Sequence, residues 1–186
     1  MAAQPNIRRF TVAEYYQMGE VGILGPEDRT ELIDGEIIVM SPIGTPHAWC
    51  VAYYNRSLSR KLGDRAEVII QNPIHLDDHS EPLPDILVLR PGHYSRQEHP
   101  TAADVLLLIE VSDTTLRFDR HTKVPRYARS GVPEVWVTNL GGETIHAFRD
   151  PTPSGVYATT FVRHRGERIA PAAFPDLDLS VDEILG

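Results

Sequence analysis

Two stretches of the chain, Asp85-Ile86-Leu87-Val88-Leu89 and Asp104 to Val111, are almost unbroken aliphatic runs. A strand with one face in water alternates apolar and polar residues, whereas a continuous apolar run belongs to a strand covered on both faces. These runs therefore call for a sheet with a layer packed on either side. Each also carries a carboxylate that such a strand does not readily accept. Asp85 follows Pro84 and opens the first run, and Glu110 ends the aliphatic stretch Val105-Leu106-Leu107-Leu108-Ile109. A lone buried carboxylate is costly unless a cation or hydrogen-bond donors compensate it.

The rest of the chain supplies elements to cover and extend that sheet. Thr11 to Met18 has an N-cap threonine with Glu14 three positions later, the pattern of a capped helix. Glu31 to Met40 places two apolar runs around Asp34-Gly35, which predicts a tight two-strand ribbon. From Pro46 to Leu62, Val51, Tyr54, Leu58 and Leu62 recur at helical spacing, and Gly63 supplies the stop. Ala66 to Gln71, Ile74 to Leu76 and Glu134 to Thr138 read as further strands. Glu143 to Phe148 and Tyr157 to Val162 read as an antiparallel pair. Arg117 to Ser130 reads as a polar helix ended by Gly131 and Pro133, and Val181 to Leu185 as a terminal helical turn. The expected fold is α+β: a mixed central sheet flanked by helices, the helix after Arg117 serving as crossover, with additional antiparallel strands.

The length of 186 residues, the absence of a repeat and prolines placed at segment joints, such as Pro26, Pro84 and Pro133, fit one domain over residues 1–186. The single cysteine, Cys50, has no disulfide partner, which suits a reducing cytoplasm. Met1 to Arg9 lacks the apolar core of a leader, and no run approaches the roughly 20 apolar residues of a membrane-spanning helix. Eighteen Lys and Arg against twenty-six Asp and Glu give a net charge of -8, which argues against a protein that coats polyphosphate along its whole surface. A local basic face remains compatible with it.

Two carboxylates on neighbouring strands repel each other, and a divalent cation is one efficient way to hold them together. Magnesium prefers oxygen ligands and bridges one or two carboxylates to a substrate phosphate. The alternative is that Asp85 and Glu110 mark strand ends or pair with arginines. Arg117, Arg120, Lys123, Arg126 and Arg129 recur at three-residue intervals, a basic stripe if the segment is a regular helix. A solvated helix face is the simpler reading of such a run.

Pro84-Asp85 followed by Ile109-Glu110-Val111-Ser112 resembles the PD-(D/E)XK nuclease superfamily, although Ser112 stands where that motif has its lysine. Several segments together resemble one branch of it, the Uma2-type restriction-endonuclease family. They are Glu31 to Glu36, Ser41-Pro42 with His47, Pro84-Asp85, Glu110 to Ser112, Asp119-Arg120 with Lys123, and Tyr127 with Gly131 to Trp136. Phe174-Pro175 and Val181 to Leu185 match its closing segment. The resemblance implies a restriction-endonuclease-like core and a Mg²⁺-dependent endonuclease acting on DNA, with Mn²⁺ able to substitute. It implies Asp85, Glu110 and the main-chain carbonyl of Val111 as metal ligands, Glu31 completing the acidic cluster, and Lys123 as the displaced catalytic lysine. Helix position, independently of the family, suggests Arg120 and Arg126 as phosphate contacts. A homodimer suits an enzyme that cuts both strands of a duplex.

Two other readings stay open from the residues. One is a nuclease fold that binds nucleic acid or a partner without cutting. The other is a metal or small-ligand binder built on His75, Asp77, Asp78 and His79, for which an exposed hairpin loop is the simpler account, because consecutive strand residues point to opposite faces. Pro125 would kink the helix beside Lys123 if that helix starts near Asp119, and would sit harmlessly in its first turn if Thr122 were the cap.

Overall fold

The computed structural model describes residues 7–25, 27–92 and 97–186. Pro26 and the first six residues, on which part of the reading of no leader rests, lie outside them. The chain opens with α1 (Val12–Glu20), capped as its sequence requires: the Thr11 hydroxyl accepts from the Glu14 amide, and the Glu14 carboxylate accepts from the Thr11 amide. A hairpin of β1 (Thr30–Ile33) and β2 (Glu36–Val39) follows. Its two turn residues, Asp34 and Gly35, both have positive φ, 54° and 71°. This is the twist-matched two-residue turn that Asp-Gly favours. Gly35 is also fixed by crowding, since a Cβ there would lie 2.9 Å from both the amide nitrogen and the carbonyl oxygen of Phe10.

After α2 (Thr45–Leu62) come β3 (Glu67–Ile70), β4 (Ile86–Leu89) and β5 (Val105–Ser112). A helical crossover follows, made of α3 (Leu116–Phe118), a π turn (Asp119–Lys123) and α4 (Val124–Arg129). The chain then returns through β6 (Glu134–Asn139), β7 (Thr144–Pro151) and β8 (Tyr157–His164). A small ribbon of β9 (Arg168–Ile169) and β10 (Leu179–Ser180) leads into α5 (Val181–Leu185). The main sheet has the order β3-β4-β5-β6-β7-β8, with β5 and β6 parallel and the remaining neighbours antiparallel. The mixed α+β sheet is as the aliphatic runs required.

Alternation along β5 divides its side chains between two cores. Leu107, Ile109 and Val111 pack with Trp136 against Cys50, Tyr54 and Leu58 of α2. Leu108 joins Leu87 and Val135 against Val124, Tyr127 and Ala128 of α4. Each such fully buried side chain contributes about 1.5–3 kcal/mol of transfer free energy, so both helices are held by many contacts of ordinary strength. Glu110, one residue from Ile109, must face the α4 side. Its position there follows from the pleat.

Two expectations are corrected. Ile74 to Leu76 is no strand; it makes only an isolated bridge between His75 and Thr101. The crossover does begin before Asp119, yet the helix neither breaks there nor starts afresh at Thr122: the chain widens into a π turn, in which the Val124 amide reaches back five residues to the Asp119 carbonyl. The wider turn gives the Pro125 ring room that an α-turn denies it. The inserted register also splits the expected basic stripe. Lys123 is buried, Arg117 and Arg129 are exposed, and Arg126 pairs with Asp34.

Candidate active site

Four elements deliver side chains to one cleft of about 450 Å³. β1 of the hairpin brings Glu31, the residue before β4 is Asp85, β5 carries Glu110, and the π turn presents Lys123. All four are buried, at 4, 8, 3 and 3% exposure. The Lys123 Nζ lies 3.0 Å from Glu31 Oε2 and 2.9 Å from Glu110 Oε1. The remaining acceptor capacity is met by donors: the Leu83 amide donates to Glu31 Oε2 at 3.0 Å, and the Tyr127 hydroxyl to Glu110 Oε1 at 2.6 Å. Asp85 accepts from the Val111 amide at 2.8 Å and contacts His47 Nε2 at 3.1 Å.

Support comes from the crossover. Asp119, 4% exposed, accepts from both the Ser112 and Thr115 hydroxyls at 2.6 Å. Ser112 therefore anchors the π turn at the place where the superfamily motif has a lysine. Lys123 reaches Glu110 from the crossover, because the π turn aims its side chain back at β5. Val111 lines the cleft beside Glu110. The opposite wall, from β2 and the segment after it, is apolar, with Ile38, Val39, Pro42 and Ile43.

The electrostatics follow from burial. Four buried carboxylates, those of Glu31, Asp85, Glu110 and Asp119, line the cleft with the Lys123 ammonium, which pairs with Glu31 and Glu110. Burial pushes the Glu110 carboxyl up to about 8; Lys123 pulls it down, while Asp119, Asp85 and Glu31 repel its charge. Burial likewise raises Asp119. For Lys123 burial acts downward, but Glu110, Glu31 and Asp119 outweigh it and keep the ammonium charged well past its ordinary range. The hydrogen bond to Asp85 raises the His47 imidazole against its burial. Lys123 thus stays charged at neutral pH, and Glu110 holds a proton far more readily than an exposed glutamate.

This donor set fits a divalent cation. Its oxygens are hard, they come from adjacent strands, and their negative charge exceeds what Lys123 offsets. Among the described residues no group of three or more His, Cys, Asp and Glu is arranged as a ready cation cage. An ion between Asp85 and Glu110 would complete its shell with oxygens from the main chain, water and substrate, which is magnesium's usual habit.

Other residues singled out in the sequence lie elsewhere. Arg120 and Arg126 are not in the cleft lining: Arg126 joins Asp34 at a separate depression with Arg9 and His79, and the buried Nε of Arg120 has no partner. His75, Asp77, Asp78 and His79 form a tight loop, and among the described residues they are not gathered as a metal-holding group. Asp77 Oδ1 caps the His79 amide, His79 Nδ1 contacts the Phe10 carbonyl, and His75 turns to Glu81. Cys50 is buried among core residues. The residue left open by the sequence that the fold brings in is His47, in the first turn of α2, with its buried Nδ1 unpartnered. Its only sequence signal is its place at the helix start after Ser41-Pro42.

Comparison with one solved structure gives the same architecture. A crystal structure described as "a putative nuclease belonging to DUF820", from Anabaena variabilis, superposes with a TM-score of 0.74 at 18% identity, covering 95% of this chain and 97% of that one. The type IIG restriction endonuclease BpuSI is matched over 80% of this chain but only 17% of its own, at 18% identity and a TM-score of 0.41. No curated protein matches the sequence. Among the described residues no helix is long and apolar enough to cross a membrane. A family model described as "Putative restriction endonuclease" matches residues 12–182, nearly the whole chain, and the protein belongs to that family, Uma2.

Proposed function

We propose that the protein is a Mg²⁺-dependent endodeoxyribonuclease in which the cleft hydrolyses a phosphodiester by in-line attack of water. The observation that carries this reading is the buried Lys123 ammonium held between Glu31 and Glu110, with Asp85 at the same cleft. Asp85, Glu110 and the Val111 carbonyl would hold the cation, for which Mn²⁺ is a fair substitute. The cation, when bound, polarises the phosphoryl oxygens and lowers the pKa of a coordinated water. The chain's own residues do the rest. Glu31 and Glu110 fix the Lys123 Nζ in place, and its ammonium orients the attacking water and faces the charge that develops on the phosphoryl oxygens. His47 holds the Asp85 carboxylate through Nε2. The apolar wall from Ile38 to Ile43 limits the water that reaches the reacting phosphate. A homodimer would present two such clefts to the two strands of a duplex.

The test is incubation of supercoiled plasmid with the protein and Mg²⁺ or Mn²⁺, beside Asp85→Ala and Lys123→Ala. Nicking by the wild type and its loss in both variants is the expected result. Equal nicking by all three would trace the activity to a contaminant and sink the assignment.

A further inference from the structure

About half of the described arginines of this acidic chain are answered by a carboxylate, as Arg65 is by Asp176, Arg149 by Glu134 and Arg165 by Glu143. Arg56 and Arg60 are among those that are not. Both are exposed on the outer face of α2, one helical turn apart, and among the described residues neither has a carboxylate within ion-pair distance. Arg56 lies over the Tyr53 ring, 5.7 Å from its centroid. With Lys61 and Arg168 they line a groove of about 530 Å³ between α2 and the C-terminal segment of β9 and α5. Its one carboxylate, Glu183, is already engaged by the Tyr53 hydroxyl at 2.6 Å. Lys61 Nζ donates only to the Asp178 main-chain carbonyl, and Arg168 pairs with the Asp178 side chain. Set against Glu183 and the Asp178 that pairs with Arg168, the four cations leave an excess of two positive charges along one groove of a protein with net charge -8, and that excess attracts an extended anion.

The helix itself joins this groove to the cleft. His47 stands at the cleft in the first turn of α2, and Arg56 and Arg60 follow about 13 and 20 Å further along its axis at ~1.5 Å per residue, on the outer side of the helix, turned away from the face that carries His47. Duplex DNA advances about 3.4 Å per nucleotide along each strand, so that span corresponds to roughly four to six base pairs.

We propose that the groove beside α2 is a second contact for the phosphate backbone of duplex DNA, in which Arg56 and Arg60 each neutralise a phosphate some four to six base pairs from the cleft. The inference rests on the nuclease reading for what occupies the cleft, and on the unpaired arginines for what occupies the groove. It also accounts for how a protein of net negative charge holds a polyanion: the binding charge is concentrated on one helix instead of spread over the surface.

The experiment follows fluorescence anisotropy of a labelled 24-base-pair duplex with the full chain in EDTA, from 20 to 150 mM NaCl. It compares wild type with Arg56→Gln/Arg60→Gln and Arg56→Lys/Arg60→Lys. Two lost phosphate contacts should flatten the slope of log affinity against log salt by about 2, at ~0.9 per phosphate, in the Gln variant only. The Lys variant, which keeps the charge, should bind within about twofold of wild type. Hydrolysis of bis(p-nitrophenyl) phosphate with Mn²⁺, a diester too small to span from cleft to groove, reads the cleft alone and should be the same in all three proteins. An unchanged slope in the Gln variant, an equal loss in the Lys variant, or no duplex binding by the wild type at 20 mM NaCl overturns the proposal. A flattened slope in a protein that hydrolyses neither plasmid nor diester would instead overturn the nuclease reading and leave the groove standing.

Discussion

Replacing Lys123 by methionine keeps the length and apolar stem of the side chain and removes the one ammonium from a cluster of buried carboxylates. Lys123 is 3% exposed and lies within 3.0 Å of both Glu31 and Glu110, themselves 4 and 3% exposed. Removing one partner of a buried ion pair costs about 3–5 kcal/mol, because the other charge is left without compensation. Here the donors that remain reduce the loss. Glu31 keeps the Leu83 amide and Glu110 keeps the Tyr127 hydroxyl. The lower end, about 3 kcal/mol, is therefore expected, and for a chain of this length that lowers Tm by roughly 6–12 °C. Urea denaturation at pH 7 in EDTA measures it, free of any contribution from a bound cation. The same reasoning requires that Glu31→Gln, which removes the carboxylate left without its ammonium, destabilise less in the Lys123→Met background than in the wild type, by a coupling of about 1–3 kcal/mol. A loss below about 1 kcal/mol for Lys123→Met, or strict additivity in the double variant, would show that the ammonium is not what holds these carboxylates together.

Gly35→Ala should cost about 2–3 kcal/mol in the same assay. It demands a positive φ of an alanine and drives its Cβ into the Phe10 backbone; a neutral result would mean that the hairpin turn relaxes freely. Leu107→Ala, which opens a hole between β5 and α2, should lose about 2–5 kcal/mol. Burial, with Asp85 adding to it, pushes the Cys50 thiol up to about 12, so at pH 8 only about one molecule in 10⁴ carries the thiolate. Iodoacetamide should label it at that pH only after denaturation, and the stability this thiol contributes should fade as pH rises from its unfolded value near 8.5 towards 12. Burial lowers the His146 imidazole, with Arg120 and His164 adding repulsion. Its depressed folded value means stability is lost as pH falls below the unfolded value near 6.5. His146→Gln should flatten the fall in urea midpoint between pH 7 and pH 5, and an unchanged profile would assign that fall to other groups.

The aliphatic runs determined the architecture by themselves. Strands without alternation need cover on both faces, and α2 and the crossover helix supply it. Asp34-Gly35 determined its turn because few dipeptides tolerate two positive φ values in succession. Asp85 and Glu110 were legible as anomalies, since carboxylates are rare at such positions. What the linear order could not give was what each of them meets, Lys123 for Glu110 and His47 for Asp85. Lys123 sits on a π turn, an inserted residue that changes which side chains share a helical face, and three-residue spacing along the sequence implied a continuous basic stripe that this turn dissolves. His47 meets Asp85 across thirty-eight residues of chain, and no local pattern encodes such a contact. Ser112 gave no hint that its hydroxyl would anchor Asp119. Periodicity and turn chemistry act between neighbours in sequence and are therefore readable there. The charge balance of the cleft is set by side chains delivered from β1, β4, β5 and the crossover, so it exists only once the sheet has brought those four together.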